Sequence, residues 1–454
     1  MNWTVAKRLE GIGEYYFSTK LREVDELNKA GKQIINLGIG SPDLPPHPDV
    51  VKTLQEEASK DNQHSYQSYK GVPVLREAVA NWYKKYFKVA DLNPATEILP
   101  LLGSKEGIMH ICMTYLNEGD QVLIPNPGYP TYTSAVKLAG GTPLYYELTA
   151  ENSWAPDFEN LEKSDLSKVK LMWVNYPHMP TGQSPTKELF EKLVAFGRKH
   201  QILICHDNPY AFILNNQPES LLSIEGAKEV VIELNSLSKS QNMAGWRVGM
   251  LIAAEDRINE ILRFKSNMDS GMFLPVQLAA AKALSLDEGW YESVNKIYTA
   301  RREKVFELLD VLKCAYSKQQ VGMFVWAKIP ATYKDGYALS DKVLYEANVF
   351  SLEYNDRAMN YLNQNDINAF SEKVKQALLA YNDDKEGNKY TDQTKMGEQK
   401  FIINKVKLLN HRWIIANYSN GELWGEVLLK YFINEDQTVS FEVMNSYLYS
   451  KELN

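Results

Sequence analysis

From Pro48 to about Leu274 the chain alternates helical stretches with short apolar runs, and this alternation limits the fold more than any other feature of it. The runs include Val122 to Ile124, Leu171 to Val174, Ile202 to Cys205 and Val230 to Leu234. Alternation of this kind predicts an α/β fold, a mainly parallel sheet covered by helices. At 454 residues the chain is long enough for two or three domains and a large core. No internal repeat is visible.

The organisation around that region follows from local pattern. Residues 1–47 read as an N-terminal helix and arm, with Tyr16, Leu21, Val24 and Leu27 giving a partial apolar stripe suited to packing. A large domain is expected over 48–274. A long helical region from Pro275 to about Lys313 then leads into a small domain ending near 358, with Val321 to Lys328 as one strand.

Residues 359–454 belong to something else. Ile367, Phe370, Val374, Ala377, Leu378 and Tyr381 form a helical stripe, and Asn382 to Gly397 reads as a polar linker. Four strand-like runs follow: Lys400 to Leu409, His411 to Tyr418, Glu422 to Ile433 and Thr438 to Leu448. Asn420-Gly421 signals a hairpin and Asn434 to Gln437 a second turn, so the expected module is α+β with an antiparallel meander. Trp413, Tyr418, Trp424 and Tyr431 read as core or interface residues, and no catalytic constellation is apparent among them. Met359 reads as a former initiator, which would make the chain a truncated enzyme gene fused to a second reading frame.

Chemistry concentrates in the run SLSKSQNMAGWRVG, Ser236 to Gly249. Ser236 and Ser238 offer hydroxyls beside Lys239, Arg247 adds a planar fork suited to a dianion, and Gly245 and Gly249 let backbone pass close by. A lysine in such company can be desolvated, lose its proton and form a Schiff base with an aldehyde that also carries a phosphate. An ordinary surface lysine in a Ser-rich loop is the alternative. Upstream, the apolar run Ile202 to Cys205 breaks at His206 and Asp207 and is followed by Pro209 and Tyr210. That pattern is a buried strand delivering polar groups at its C-terminal end, where open α/β sheets place ligands. Taken alone, Asp207 reads equally as a helix cap. Earlier still, the strand-like Ile98 to Leu102, the Gly103-Ser104 turn and the helical spacing of Ile108, Ile111, Cys112, Tyr115 and Leu116 make a phosphate cradle from backbone donors. Many α/β proteins contain such a turn.

Together these residues resemble the class I/II aminotransferases, fold type I enzymes dependent on pyridoxal 5'-phosphate (PLP), over about residues 15–350, nearest the branch with LL-diaminopimelate and methionine-type aminotransferases. The resemblance implies that 48–274 is the PLP-binding domain, that 275–358 is a linking helix with a truncated small domain, and that the arm packs with the latter. It makes Lys239 the internal aldimine lysine, and Arg247, Ser236, Ser238, Ser104 and the amide of Lys105 phosphate ligands. Asp207 becomes the partner of the pyridine nitrogen and Tyr210 the donor to O3'. Tyr129, in NPGYPTY, falls where the family stacks an aromatic ring on the cofactor; a core tyrosine after a strand is the alternative. Tyr66, in YQSYKG, matches a tyrosine that reaches the phosphate from a second subunit, which implies a homodimer. Gly40, in GIGSPDLP, matches a glycine whose backbone meets the substrate carboxylate.

Two departures stand out. The family's NPTG is MPTG here, so Met179 replaces an asparagine that would bond O3'. After Ser340 to Phe350 the family continues to a strand ending in an arginine that grips the substrate carboxylate as a bidentate pair. This chain continues SLEYNDRAMNYLNQND, where Arg357 is the sole nearby arginine and no strand pattern surrounds it.

The expected activity is transfer of an amino group between an amino acid and a 2-oxo acid, within amino acid metabolism. A PLP-dependent C–S lyase of the same fold would share every cofactor residue. A catalytically impaired PLP-binding or interaction protein is the reading from another class, motivated by the missing arginine and the added module. Composition fits a cytoplasmic enzyme of small molecules. A formal charge of −7 without a basic stripe gives nucleic acid no footprint. Cys112, Cys205 and Cys314 are too few and scattered for disulfides or a metal site, and the seven histidines show no ligand spacing. No secretory leader or membrane span is apparent.

Overall fold

The computed structural model describes residues 3–14, 16–29, 38, 40–348 and 367–449. The chain divides into two compact units, residues 1–328 and 329–454.

The first unit is built on a seven-stranded sheet: β1 (Ile98–Leu101), β2 (Gln121–Asn126), β3 (Thr142–Glu147), β4 (Val169–Val174), β5 (Leu203–Asp207), β6 (Val231–Ser236) and β7 (Gly249–Ile252). Their spatial order is β1-β7-β6-β5-β4-β2-β3, parallel throughout except for β7, which runs antiparallel to both its neighbours. Every residue of β1, β6 and β7 is buried, which is why β1 and β7 read as apolar runs rather than as alternation, whereas β6 also buries Glu233, Asn235 and Ser236.

Helices cover both faces. In chain order they are α1 (Tyr16–Lys29), α2 (Pro48–Ala58), α3 (Pro73–Phe87), α4 (Ser104–Tyr115), α5 (Pro130–Leu138), α6 (Phe158–Leu161), α7 (Lys187–His200), α8 (Leu237–Ser240), α9 (Glu255–Lys265), α10 (Leu274–Leu284) and α11 (Glu288–Val311). Side chains of one strand alternate between two cores. Leu171 and Trp173 join α4, α5 and α9 through Ile108, Tyr132 and Ile261, whereas Met172 and Val174 join α3, α7 and α10 through Trp82, Leu193 and Ala279. The centre of the sheet is thereby excluded from water on both sides, while the edge strand β3 keeps Thr142, Tyr145 and Glu147 exposed. Among the described residues no helix is long and apolar enough to cross a membrane.

Several expectations change in detail. The helical region from Pro275 is two helices, because Ser285 caps α10 while Asp287 is extended at the start of α11; both residue types favour caps over helix interiors. Val321 to Lys328 is mostly loop, with only Ala327–Lys328 pairing as a strand against Ala315–Tyr316. Here the Gln320 side chain bonds the carbonyls of Ser317 and Trp326 and the amide of Trp326, while the amides of Val321 and Gly322 bond Gly182 and Ile213. These bonds take up donors and acceptors that a ladder would need. The stripe of α1 is not buried in this chain, since Leu21 is exposed and Val24 and Leu27 are half-buried.

After the short pair β8 (Ala315–Tyr316) and β9 (Ala327–Lys328) of the first unit, the second unit has α12 (Gly336–Asn348), α13 (Ile367–Leu379) and an antiparallel meander of β10 (Ile402–Leu408), β11 (Trp413–Ser419), β12 (Trp424–Ile433) and β13 (Val439–Leu448). Ile367, Phe370, Val374 and Leu378 bury against Ile414, Val427, Leu429 and Tyr431, as the helical stripe and the strand alternation require. Gly421, at φ 94°, and the Asn420 carboxamide, which accepts from the amides of Glu422 and Leu423, close the first turn. The segment Asn382 to Gly397 is not a free linker: Asn388 and Thr391 are buried, and the Asn388 side chain bonds Leu378 O and Asn382 Oδ1. Tyr418 and Tyr431 are core residues, whereas Trp413 and Trp424 are half-buried. Arg357 and Met359 lie outside the described residues.

Candidate active site

Strand register brings the candidate residues together. Asp207 ends β5 and pairs with Leu234 of the parallel β6, so its carboxylate and the Ser236 to Lys239 turn leave adjacent strands at the same edge. Gly249 of β7 pairs with Ser236 on one side and with Leu101 on the other. The turn after β1 and the turn after β6 therefore flank one glycine. A Cβ on Gly249 would lie 2.7 Å from the Ser104 amide nitrogen, so only glycine permits this approach.

The anion end of the site follows. Gly103, at φ 93°, turns the chain from β1 into α4, whose first residues are Ser104 and Lys105. Arg247 is itself left-handed (φ 56°, ψ 55°), which lays its guanidinium over Gly103, where any Cβ would collide with it. Ser236 Oγ accepts from the Ser238 amide at 3.1 Å and donates to Ser238 Oγ at 2.8 Å. Helix-terminal amides, two hydroxyls and a guanidinium form a concave donor set suited to a dianion. Burial, then the nearby Arg247 charge, lowers the Lys105 pKa, the behaviour of a pocket rich in cations.

Lys239 stands between the two ends. Its Nζ donates to Gly40 O at 2.6 Å. Burial first, then Arg247, lowers its pKa, against an opposing pull from Asp207, so the neutral, nucleophilic amine is easier to reach than on a surface lysine.

Asp207 closes the other end. It is 4% exposed; Tyr132 donates to Oδ2 at 3.0 Å, and Oδ1 has no hydrogen-bond partner among the described residues. Burial raises its pKa to about 6, with the Tyr132 hydrogen bond and the charges of His206 and Lys239 acting against that rise. A buried carboxylate with a spare oxygen suits a cationic ligand atom. Behind it, His206 Nδ1 faces Glu233 at 2.8 Å and Nε2 faces Tyr176 O at 2.9 Å, which anchors β5 from the opposite side.

Of the remaining candidates, Tyr129 caps α5 and meets Tyr132 edge-on at 5.5 Å. Tyr210 is buried edge-on to Phe324 at 6.0 Å, and a Cβ on Gly40 would lie 2.6 Å from the same Phe324 ring. Tyr66 is not brought to the group: it is 93% exposed. Sequence reasoning missed Tyr132, Asn175 and Phe324. Tyr132 lies one helical turn after Tyr129. Asn175, four residues before Met179, donates to Asp207 O at 2.5 Å and accepts from the Met179 amide at 2.7 Å. It ties the backbone of the MPTG loop at Met179 to the end of β5, and the Met179 side chain offers only a thioether, a weak acceptor.

A parallel sheet whose carboxyl edge carries a buried carboxylate, a lysine of lowered pKa and a dianion cradle is the arrangement of the fold type I transferases. The chain belongs to the class I and II aminotransferases, whose family model matches residues 32–356. LL-diaminopimelate aminotransferase of Dehalococcoides mccartyi is 39% identical over 331 residues, 72% of this chain and 85% of that protein. The Aquifex aeolicus enzyme of the same name is 38% identical over 72% of this chain and 84% of its own length. The substrate-bound structure of BacF from Bacillus subtilis superposes with a TM-score of 0.72 at 37% identity, covering 76% of this chain and 88% of that one. Enzymes of this family transfer amino groups and depend on PLP, and all these matches leave the C-terminal unit largely uncovered.

The raised pKa of Asp207 has a testable consequence. A carboxyl whose folded pKa exceeds its unfolded value binds its proton more tightly when folded, so the apoprotein loses stability as pH climbs from the ordinary carboxylate value to about 6. The loss corresponds to about 3 kcal/mol. Asp207→Asn is expected to raise the melting temperature of the apoprotein at pH 8 while weakening PLP binding; calorimetry with and without PLP reads both.

Proposed function

We propose that this chain is a PLP-dependent aminotransferase in which Lys239 is both the anchor for the cofactor aldehyde and the proton carrier. The observation that carries the reading is the line from the Gly103–Ser104–Arg247 cradle through Lys239 to the spare oxygen of Asp207. The cradle, with Ser236, Ser238 and the Lys105 amide, would hold the phosphate. Asp207 Oδ1 would take the pyridine N–H, with Tyr132 holding the carboxylate in place from Oδ2. Tyr129 would cover the ring face and Tyr210 would donate to O3'. PLP bound in this way supplies an electron sink for the pair left on the substrate's Cα.

The chain's own groups do the rest. Lys239 Nζ, released when the substrate amine takes its place, would accept the Cα proton and return it to the former aldehyde carbon, across the nitrogen from Cα; burial that lowers its pKa favours the unprotonated amine that this requires. Gly40 O holds the amine before the aldehyde arrives, and the Phe324 ring packs against both Gly40 and Tyr210 beside it. The domain limits 48–274 and 275–358, a homodimer in which Tyr66 reaches the neighbouring phosphate, and a cytoplasmic location are parts of the same proposal. The 93% exposure of Tyr66 in the single chain supports the dimer.

Amino acid donors are tested first, with LL-diaminopimelate among them because relatives bear that name. The loaded protein mixed with single amino acids should pass from the aldehyde to the amine absorption of the cofactor, with the 2-oxo acid released. Release of pyruvate and ammonia without that change would mark a C–S lyase instead. With Met179 in the asparagine position and the family match ending at 356, donor binding is expected to be weak. Met179→Asn is expected to raise kcat/KM about tenfold, the worth of one hydrogen bond to a charged group; an unchanged value contradicts the account of that loop. For the dimer, Tyr66→Ala and Lys239→Ala chains, each inactive alone, should recover activity when mixed, and no recovery on demonstrated exchange would contradict a shared site.

A further inference from the structure

A second cluster of ligating side chains lies outside the groups assigned above. Glu106 and His110 are four residues apart on α4 and so share a face, and Asp269 follows α9. Glu106 Oε1 is 3.2 Å from His110 Nε2, which is 3.8 Å from Asp269 Oδ2, and the three donor atoms all lie within 4.8 Å of one another. The cluster is interior: the side chains of Glu106, His110 and Asp269 are 14%, 0% and 9% exposed. His110 is the unusual member, because neither nitrogen of this fully buried ring completes a hydrogen bond among the described residues. Buried imidazoles are otherwise almost always bonded.

We propose that Glu106, His110 and Asp269 bind one zinc ion, with water as the fourth ligand. Two ligands at 2.0 to 2.1 Å from a tetrahedral ion stand about 3.3 Å apart, and the measured separations bracket that value. One imidazole and two carboxylates match the ion in donor type and cancel its charge. The surroundings already orient the ligands: the Leu102 amide donates to Glu106 Oε2, and the Phe264 ring meets His110 edge-on at 5.5 Å. One group opposes the ion. Lys265 Nζ donates to both Asp269 oxygens at 2.7 Å, so binding requires its ammonium to swing away or lose a proton. Glu106 lies two residues beyond Ser104, so the ion would fasten the start of α4 to the segment after α9 and stiffen the Gly103–Ser104 turn.

The test uses the full-length, PLP-loaded protein after chelator dialysis. Titration calorimetry with zinc chloride is expected to give one site per chain with micromolar affinity or tighter, accompanied by a higher melting temperature. His110→Gln and Asp269→Asn should each weaken binding at least tenfold. Lys265→Met should tighten it, whereas a closed charge network with no ion would only be destabilised by that change. X-ray absorption on the zinc-loaded wild type should show nitrogen and oxygen ligands with one imidazole. No saturable binding by folded wild-type protein, sulfur in the zinc shell, or an affinity indifferent to His110→Gln would each overturn the proposal.

Discussion

Asp207 is a carboxylate taken out of water at the end of a central parallel strand, with one oxygen satisfied by Tyr132 and the other by nothing in the chain's described residues. Such a group is costly unless a cation or a proton meets it. The surrounding structure holds it there regardless. Asn175 grips its carbonyl, the buried pair of His206 and Glu233 anchors the residue before it, and two apolar cores seal both faces of the sheet. Under the proposed function, a cationic ring nitrogen at Oδ1 would turn this liability into an ion pair that also keeps the nitrogen protonated, as an electron sink requires.

Sheet topology accounts for the other half of the site. Because β7 runs against both β1 and β6, Gly249 stands between their carboxyl ends and brings the Gly103–Ser104 turn beside Ser236. Arg247, two residues earlier, is thrown into a left-handed turn and lands over Gly103. One antiparallel strand in an otherwise parallel sheet thus brings the Gly103–Ser104 turn to the Ser236 to Gly249 run, from which it is remote in sequence. Two glycines are obligatory in that arrangement, Gly103 for its φ and its clearance of the guanidinium and Gly249 for its contact with the Ser104 amide.

Much of this was legible in the sequence. The strand-like runs at Leu171, Ile202 and Val230 correspond to β4, β5 and β6 because strands buried on both faces leave an unmistakable apolar signature. The C-terminal meander was readable from alternation and from Asn420-Gly421. What escaped depends on tertiary contacts. Tyr132 is a helix residue whose hydroxyl meets Asp207 only across the sheet, and Asn175 acts through backbone groups of two separate segments. Val321 to Lys328 is apolar like a buried strand, yet Gln320 folds it into a loop. Asn382 to Gly397 has a linker's composition, and only the buried Asn388 and its bonds to Leu378 and Asn382 make it part of the second unit.

The proposed chemistry requires that Lys239, and no other lysine, carry the cofactor aldehyde. Borohydride reduction of the PLP-loaded protein followed by peptide mapping measures this directly. One pyridoxyl group per chain is expected, on the peptide containing Lys239. A label on Lys105, the other lysine whose pKa is lowered beside Arg247, or on any lysine outside the Ser236 to Gly249 run, would contradict it.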